Sequence, residues 1–333
     1  MSWFLIEALG APDTPMTILA KDGERRDWVS LRSLQRNEGV DAGDLTDWVR
    51  RSGSVFDQIV SGRGGQRRVR AVPILGPEGE VYALQLWIGA PDESVPEPRP
   101  AAGIGWYAGD LQVQQRLESW MMSTDDADGF KRVRSPGEFF RKVVKFDDAT
   151  ALIALGTNPE ADARFTSNIV VLHDNGHLMN WQIFARGRTD LDRPGLRGLT
   201  HDVSDVEPPA LGPHEALGLT DEPGPDAPAA ALLAFPPSGA PLIAQWIGHV
   251  PTWIDWQREG DAELIHREDW AAVAKTAVML QPGLPGTKAV TPARLRAHTP
   301  TGWQPVTITS SRYPGEVGNR LHIIRIARAD LSG

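Results

Sequence analysis

The sequence predicts an α+β protein with three tandem modules, each built on an antiparallel β-sheet. Three stretches show the period-two alternation of apolar and polar residues that is typical of β-hairpins. They lie at residues 67–89, 166–186 and 305–327. The turn at residues 76–79 has proline second and glycine fourth, and Asn175-Gly176 favours a tight hairpin turn. The length of 333 residues fits this division, because it is too long for one ordinary core.

The first module is predicted to span residues 1–90, in the order strand, strand, helix, helix, strand, strand. Its main helix contains Leu45, Trp48 and Val49 at the spacing of one buried face. The hairpin follows, and Pro73 in its first strand indicates a sheet edge or a β-bulge. In the second hairpin strand, one face is predicted to meet the core through Tyr82, Leu84, Leu86 and Ile88.

Composition marks the predicted boundaries between modules. Residues 91–105 begin with a proline-rich run, which predicts a semi-extended linker. The second module then covers residues 106–188. Residues 189–229 are rich in Pro, Gly and Asp, which predicts a second linker or a long surface loop. The third module covers residues 230–329.

The third module is predicted to contain a hairpin, a helix and three further strands. The helix begins at Glu268-Asp269, because acidic side chains suit the positive end of a helix dipole. Pro282-Gly283 ends the helical pattern. The predicted buried stripe of this helix consists of Trp270, Val273, Ala274, Ala277 and Val278.

The composition excludes several classes of function. A net charge of −9 and a pI of about 5.4 argue against binding to nucleic acid or an anionic membrane, because both need a basic surface. No stretch approaches the roughly 18 apolar residues of a membrane span, so a cytoplasmic protein is predicted. The chain has no cysteine, which excludes disulfides, thiolate metal sites and thiol nucleophiles.

The element order of the third module resembles the PAS fold, a five-stranded antiparallel sheet with helices between its second and third strands. Residues 264–273 are similar to the PAS pattern that opens the last helix, with His266, Glu268 and Asp269 matching and Arg267 standing where proline is frequent. The first module looks like the closing strands of a GAF domain. The second is similar to PAS in its hairpin and element order. Which of these two is the GAF domain stays open.

The whole layout resembles an actinobacterial, mycobacterial-type family of sensor-domain-only proteins with one GAF and two PAS domains. The resemblance covers nearly the full chain. It implies a non-enzymatic signalling or scaffold protein that passes signals from a small-molecule ligand or a partner to other signalling proteins. It names no cofactor. Without cysteine, the covalent bilin of GAF domains and the flavin–cysteine adduct of PAS domains are excluded, and haem would need a histidine such as His298 or His249.

Twelve tryptophans are the unusual feature of the composition. Those of the third module are predicted to line a cavity for an aromatic or apolar ligand. The competing interpretation is that large side chains fill a small core. The candidate pocket residues are Trp246, Trp253, Trp256, His298 and Trp303 in the third module and Met179 and Trp181 in the second.

Two other functions are alternatives. A metal-dependent hydrolase or another enzyme would use His173 and His177, which flank the hairpin turn, or His201 with Asp202 and Ser204. No third metal ligand follows the first pair closely, and adjacency in sequence does not provide triad geometry. The last alternative is a protein-interaction module that binds partners without a ligand.

Overall fold

The structure is a computed structural model that divides into two compact units, each discontinuous in sequence. The first unit comprises Met1–Trp106, Gln114–Arg132 and Pro159–Ala210, and the second comprises Tyr107–Val113, Val133–Asn158 and Leu211–Gly333. The structure describes all residues except 110–111, 191, 193, 213–227, 236–239, 249, 257–262, 281–286, 314–317, 319 and 330–333.

The first sheet has six strands, and two helices lie between its third and fourth strands in the sequence. Its elements are β1 (Ser2–Glu7), β2 (Thr17–Lys21), β3 (Glu24–Ser30), α1 (Arg32–Asn37), α2 (Gly43–Ser52), β4 (Phe56–Gly62), β5 (Gly65–Leu75) and β6 (Val81–Gly89). The strands are antiparallel and run in the order β3-β2-β1-β6-β5-β4. The predicted element order is therefore present, with one additional strand on each side of the two helices.

Strand β6 is buried on both of its faces. Leu84, Leu86 and Ile88 lie in a core cluster that includes side chains of α1 and α2. Tyr82 was predicted to share that cluster, and this was wrong. It lies with Ala83 in a second cluster that contains side chains of the second sheet, because the register shifts by one residue at that end of the hairpin.

Two details of the first sheet differ from or refine the sequence prediction. Trp48 was expected in the buried stripe of α2, but 42% of it is exposed and its ring meets Phe56 edge-to-face. Leu45 and Val49, one helical turn apart, form the buried stripe alone. Pro73 lies in β5, an inner strand, close to the register shift between β5 and β6. It follows the last residue of β5 that pairs with β4, so its missing N–H removes no hydrogen bond to β4.

The second sheet has seven strands. They are β7 (Ala101–Tyr107), β8 (Val113–Gln115), β9 (Val133–Arg134), β10 (Val143–Lys145), β11 (Arg164–Leu172), β12 (Leu178–Arg188) and β13 (Gly195–Asp202). Strands β11, β12, β13, β7 and β8 are consecutive neighbours. The helices in this part of the sequence are α3 (Leu117–Met121), α4 (Pro136–Phe139), a 3-10 turn (Phe140–Lys142) and α5 (Ala149–Thr157).

Both predicted linkers contain a strand of this sheet, which corrects the prediction for those residues. Residues 101–105 belong to β7, because the proline run ends at Pro100 and an apolar segment follows. Residues 195–202 form β13, which pairs with β12 along its length and is almost entirely buried. Its two glycines resemble loop composition, but the segment lies between β12, which precedes it in the chain, and β7, which comes from a distant part of the sequence. The three-module boundaries otherwise stay a prediction.

The third sheet has five antiparallel strands. Its elements are β14 (Ala229–Ala234), β15 (Leu242–Ile247), a 3-10 turn (Arg267–Asp269), α6 (Trp270–Met279), β16 (Lys288–Arg296), β17 (Trp303–Arg312) and β18 (Leu321–Arg328). The strand order is β15-β14-β18-β17-β16. Val273 of α6 is buried in the core, whereas Ala277, Val278 and the predicted Pro282-Gly283 stop lie outside the described residues or side chains. Among the described helices, none is long and apolar enough to cross a membrane.

Candidate sensing site on the third sheet

The inner face of the third sheet is apolar except for a few buried polar residues, among them Thr291 on β16. The alternation of β18 points Ile324 and Ile326 inward and Arg325 and Ala327 outward. Val306 and Ile308 of β17 pack in the same core as Ile324 and Ile326. The inner positions that complete this face are His322 on β18 and Ser310 on β17, and both are fully buried.

His322 is a buried imidazole without a hydrogen-bond partner in the described part of the chain. Neither ring nitrogen is paired, although the residue is 0% exposed. It pairs in register with Leu233 on one side and Arg312 on the other, and its ring meets Phe235 at a centroid distance of 4.9 Å. Burial, with a smaller contribution from the charge of Arg312, lowers the pKa of His322 to about 4. The imidazole is therefore neutral at pH 7.

Ser310 provides a second unpaired polar group on the same face. Its Oγ is buried and has no hydrogen-bond partner in the described structure. Ser310 precedes Arg312 by two residues, so it is a diagonal neighbour of His322 across the two strands. Burying an unpaired polar group costs about 1–3 kcal/mol, and such groups are uncommon in folded proteins. Two of them together mark the site that we consider most able to receive a hydrogen-bonding ligand.

The predicted helix-opening motif ties α6 to the sheet. The carboxylate of Asp269 accepts bonds from the backbone N and the guanidinium of Arg294 on β16, at 2.7 to 3.0 Å. Glu268 accepts a further bond from the same guanidinium at 2.8 Å. These hydrogen bonds lower the pKa of Asp269. His266 Nδ1 accepts from the backbone N of Glu268, so the matching residues of this motif fix the start of the helix.

The structure gathers part of the predicted tryptophan pocket. Trp246 and Trp253 are buried in the core of the third sheet, and Trp256 packs against it. Trp303 is half-buried between the guanidinium of Arg296 and the ring of His266. Trp246, Trp253 and Trp256 therefore share one core, Trp303 is outside that cluster, and a role of these indoles in ligand binding stays a prediction.

The other predicted pocket residues lie elsewhere. His298 is exposed, and its backbone N donates to the carbonyl of Trp253. Met179 and Trp181 are buried on β12 in the first unit. His249, the second histidine considered for haem, lies outside the described residues. Sequence reasoning missed His322 and Ser310, although the alternation of β18 indicates that His322 shares the inward face of Ile324 and Ile326.

The hairpin turn brings His173 and His177, the residues of the metal-enzyme alternative, close together. Their rings stack at a centroid distance of 4.6 Å. His173 Nδ1 accepts from the backbone N of Asn175, and His177 Nδ1 contacts the Asn175 side chain. Within the described residues, no group of three or more His, Cys, Asp or Glu side chains is placed to hold a metal ion.

The His201 alternative has the wrong geometry for a catalytic triad. His201 and Asp202 are consecutive on β13, so their side chains point to opposite faces. Ser204 Oγ donates to Asp202 at 2.5 Å, while His201 Nδ1 lies 3.3 Å from Gln182 Oε1. Burial lowers the pKa of His201 to about 4, and the charge of Arg99 contributes.

Comparison with known proteins identifies relatives by sequence and by fold. Residues 2–97 match the family described as Rv3651-like, N-terminal. An uncharacterised protein from Mycobacterium tuberculosis has a crystal structure with a TM-score of 0.77 and 17% identity, covering 98% of this chain and 96% of that chain. At this identity the likeness shows the fold. The family match covers residues 2–97, which is less than half of the chain.

A second solved structure is an RNA-binding light-oxygen-voltage receptor. Its TM-score is 0.26 at 10% identity, covering 68% of this chain and 95% of that chain, which is too low to indicate a shared fold. No curated protein matches the chain.

Proposed function

We propose that this protein is a non-enzymatic signal-sensing or scaffold protein, with a GAF-like module and two PAS-like modules that pass signals to partner proteins. The observation that carries the proposal is the buried pair of His322 and Ser310, which has three polar atoms without hydrogen-bond partners among the described residues. A fully packed core would place apolar side chains at these positions. A ligand that donates to or accepts from them would remove the free-energy cost of burying them.

Such a ligand would act by shifting a population of conformations. The third sheet would have two states, which differ in how the helices pack on it and in whether the polar groups are paired. The ligand would favour the paired state by the difference between its binding free energies for the two states. The Asp269–Arg294 contact connects α6 to β16, so a change at the sheet has a route to the helix. This is the response expected of a sensor module.

The element order supports the PAS-like assignment. The third sheet has two strands, then helical turns, then three strands, as the PAS resemblance implies. The strand neighbours of the second sheet repeat this arrangement, with β7 and β8 before the helices and β11, β12 and β13 after them. The same chain path used twice favours two related modules after the GAF-like one.

Open strand edges supply the surfaces through which partners would bind. Strands β3 and β4 end the first sheet and β16 ends the third, whereas β15, the other end strand of the third sheet, packs against α4. An extended segment of a partner adds to such an edge by backbone hydrogen bonds. This mode also serves the alternative function, a protein-interaction module without a ligand.

Ligand screening tests the sensing part of the proposal. Thermal unfolding of the full chain is measured with nucleotides, haem, flavins and fatty acids, for the unsubstituted protein and for His322→Leu. His298→Leu is the matched control, because it removes an exposed histidine of the same unit and a predicted pocket residue. A ligand-induced shift that is lost in His322→Leu and kept in His298→Leu supports the site. No shift with any class refutes sensing by this site and leaves the interaction module.

The enzyme alternative has its own measurement. Metal analysis of the purified protein, with His173→Ala as the comparison, tests whether the stacked histidines bind a metal. A stoichiometric metal that disappears in His173→Ala would favour the hydrolase.

A further inference from the structure

The first unit contains a cleft of about 640 Å³ away from the site on the third sheet. It is formed by the segment after β1, the C-terminal end of α2, the turn between β5 and β6, and one side chain of β13. Its volume lies in the range of small-molecule sites, roughly 300–1,000 Å³. The polar lining consists mainly of Gly10, Asp47, Arg50, Arg51, Glu80 and Arg197.

Arg50 is a preorganised charge at this cleft. Its guanidinium donates to the carbonyl oxygens of Ala11 at 2.8 Å, Thr14 at 3.2 Å and Gly10 at 3.3 Å. These partners are neutral, and no carboxylate of the described residues forms an ion pair with Arg50. The carbonyls hold the guanidinium in one position without neutralising its charge.

A second guanidinium approaches the same backbone. Arg188 donates to the carbonyl of Gly10 at 3.0 Å, so it and Arg50 share one acceptor. Asp190 pairs with Arg188 and balances its charge. Burial lowers the pKa of Arg50, the negative charges of Glu7 and Asp47 oppose this shift, and the positive charges of Arg188 and Arg197 add to it. Among the described residues, no carboxylate pairs with Arg50 directly, as Asp190 does with Arg188.

Arg197 contributes the third guanidinium. It is 6% exposed, its guanidinium lies 4.9 Å from the centre of the Tyr82 ring, and its Nε has no hydrogen-bond partner in the described residues. Its carboxylate partner is Glu80, whose side chain is 62% exposed. Because Glu80 is largely in solvent, it can leave Arg197 without exposing the core.

We propose that this cleft binds a small ligand through a carboxylate or phosphate group that contacts Arg50 and Arg197. Arg50, Arg51 and Arg197 line the cleft together with the carboxylates of Asp47 and Glu80, so positive charges outnumber negative ones in its lining although the chain as a whole is acidic. Guanidinium groups bind both oxyanions by charge-assisted hydrogen bonds. Glu80 occupies Arg197 in the free protein and competes with the ligand. The site is independent of the proposed sensing by the third sheet.

Calorimetric titration of the full chain tests this assignment. The probes are inorganic phosphate, succinate, and dimethyl succinate as the uncharged counterpart of succinate. We expect phosphate or succinate to bind and dimethyl succinate not to bind. Which of the two anions binds more tightly shows whether the cleft prefers a phosphate or a carboxylate group. Arg50→Gln should weaken binding about tenfold, because a charge-assisted contact is lost. Glu80→Gln should tighten binding several-fold, because it removes the competing carboxylate.

The control is Arg26→Gln, which removes an exposed guanidinium of the same unit outside the cleft. Its affinity should equal that of the unsubstituted chain. The proposal is overturned if neither anion binds, if Arg26→Gln weakens binding as much as Arg50→Gln, or if Glu80→Gln does not tighten binding. Should Arg50→Gln fail to fold, Glu80→Gln decides the question, since its side chain lies at the surface.

Discussion

The buried ion pair between Glu7 and Arg186 allows a quantitative test of how the first unit is held together. Arg186 Nη2 donates to Glu7 Oε1 at 2.8 Å, and the two side chains are 2% and 1% exposed. Glu7 also accepts bonds from Thr17 Oγ1 and the backbone N of Leu9, both at 2.8 Å. The carboxylate is therefore fully paired, and it connects β1, β2 and β12.

Glu7→Gln keeps the shape and removes the charge, which leaves the guanidinium of Arg186 buried. Losing one partner of a buried ion pair costs about 3–5 kcal/mol. Asp162 lies 3.5 Å from Arg186 but is 66% exposed, so it compensates only in part. We expect Glu7→Gln to lower the free energy of unfolding by about 3 kcal/mol, the lower end of this range.

The double variant Glu7→Gln with Arg186→Met distinguishes pair loss from a general core defect. It removes both charges and keeps an apolar side chain beside Trp28, whose ring lies 5.2 Å from the guanidinium. We expect it to recover most of the lost stability, because no unpaired charge stays buried.

The assay is urea denaturation with hydrogen exchange measured on peptides from β1 and β12, which reports on this unit directly. Glu38→Gln is the control, because Glu38 and Lys21 form a pair at 2.7 Å with side chains 22% and 33% exposed. That variant should lose less than about 1 kcal/mol. Equal losses for Glu7→Gln and Glu38→Gln, or a double variant less stable than Glu7→Gln, would refute the reasoning.

Three further predictions concern other positions. In the absence of ligand, His322→Leu should raise the unfolding temperature of the full chain, because it removes two unpaired buried nitrogens, and a lower temperature would contradict this. The pKa of His322 is about 4 in the folded chain and about 6.5 in the unfolded chain, so the unfolded chain binds a proton first as the pH falls. The free energy of unfolding is therefore unaffected by this group above pH 6.5 and falls by about 3 kcal/mol towards pH 4. Comparing the pH dependence of the unsubstituted protein with that of His322→Leu in denaturation experiments should isolate this loss. Gly187→Ala should destabilise by about 1–3 kcal/mol in urea denaturation, because its Cβ would overlap the carbonyl oxygen of Glu160, while Gly109→Ala, which has open space around it, should be neutral.

Much of the local structure follows from the sequence alone. The Gly-Pro-Glu-Gly turn and Asn175-Gly176 each join two paired strands, because turn chemistry acts between residues that are close in the chain. Glu268 and Asp269 open the helix of the third sheet for the same reason. Alternation along β18 identifies its inward face, and the absence of cysteine excludes thiol chemistry without any coordinates.

Tertiary structure decided what depends on partners far along the chain. Residues 195–202 form a central strand because they lie between β12 and β7, and β7 comes from a distant part of the sequence that no local signal in this segment indicates. Trp48 is exposed although its spacing fits a buried stripe. The polar atoms of His322 and Ser310 have no hydrogen-bond partner within the described part of the chain. Arg50 and Arg197 line one cleft because segments far apart in sequence fold against each other. Sequence periodicity determines which face a side chain occupies, whereas only the packed structure determines what that face meets.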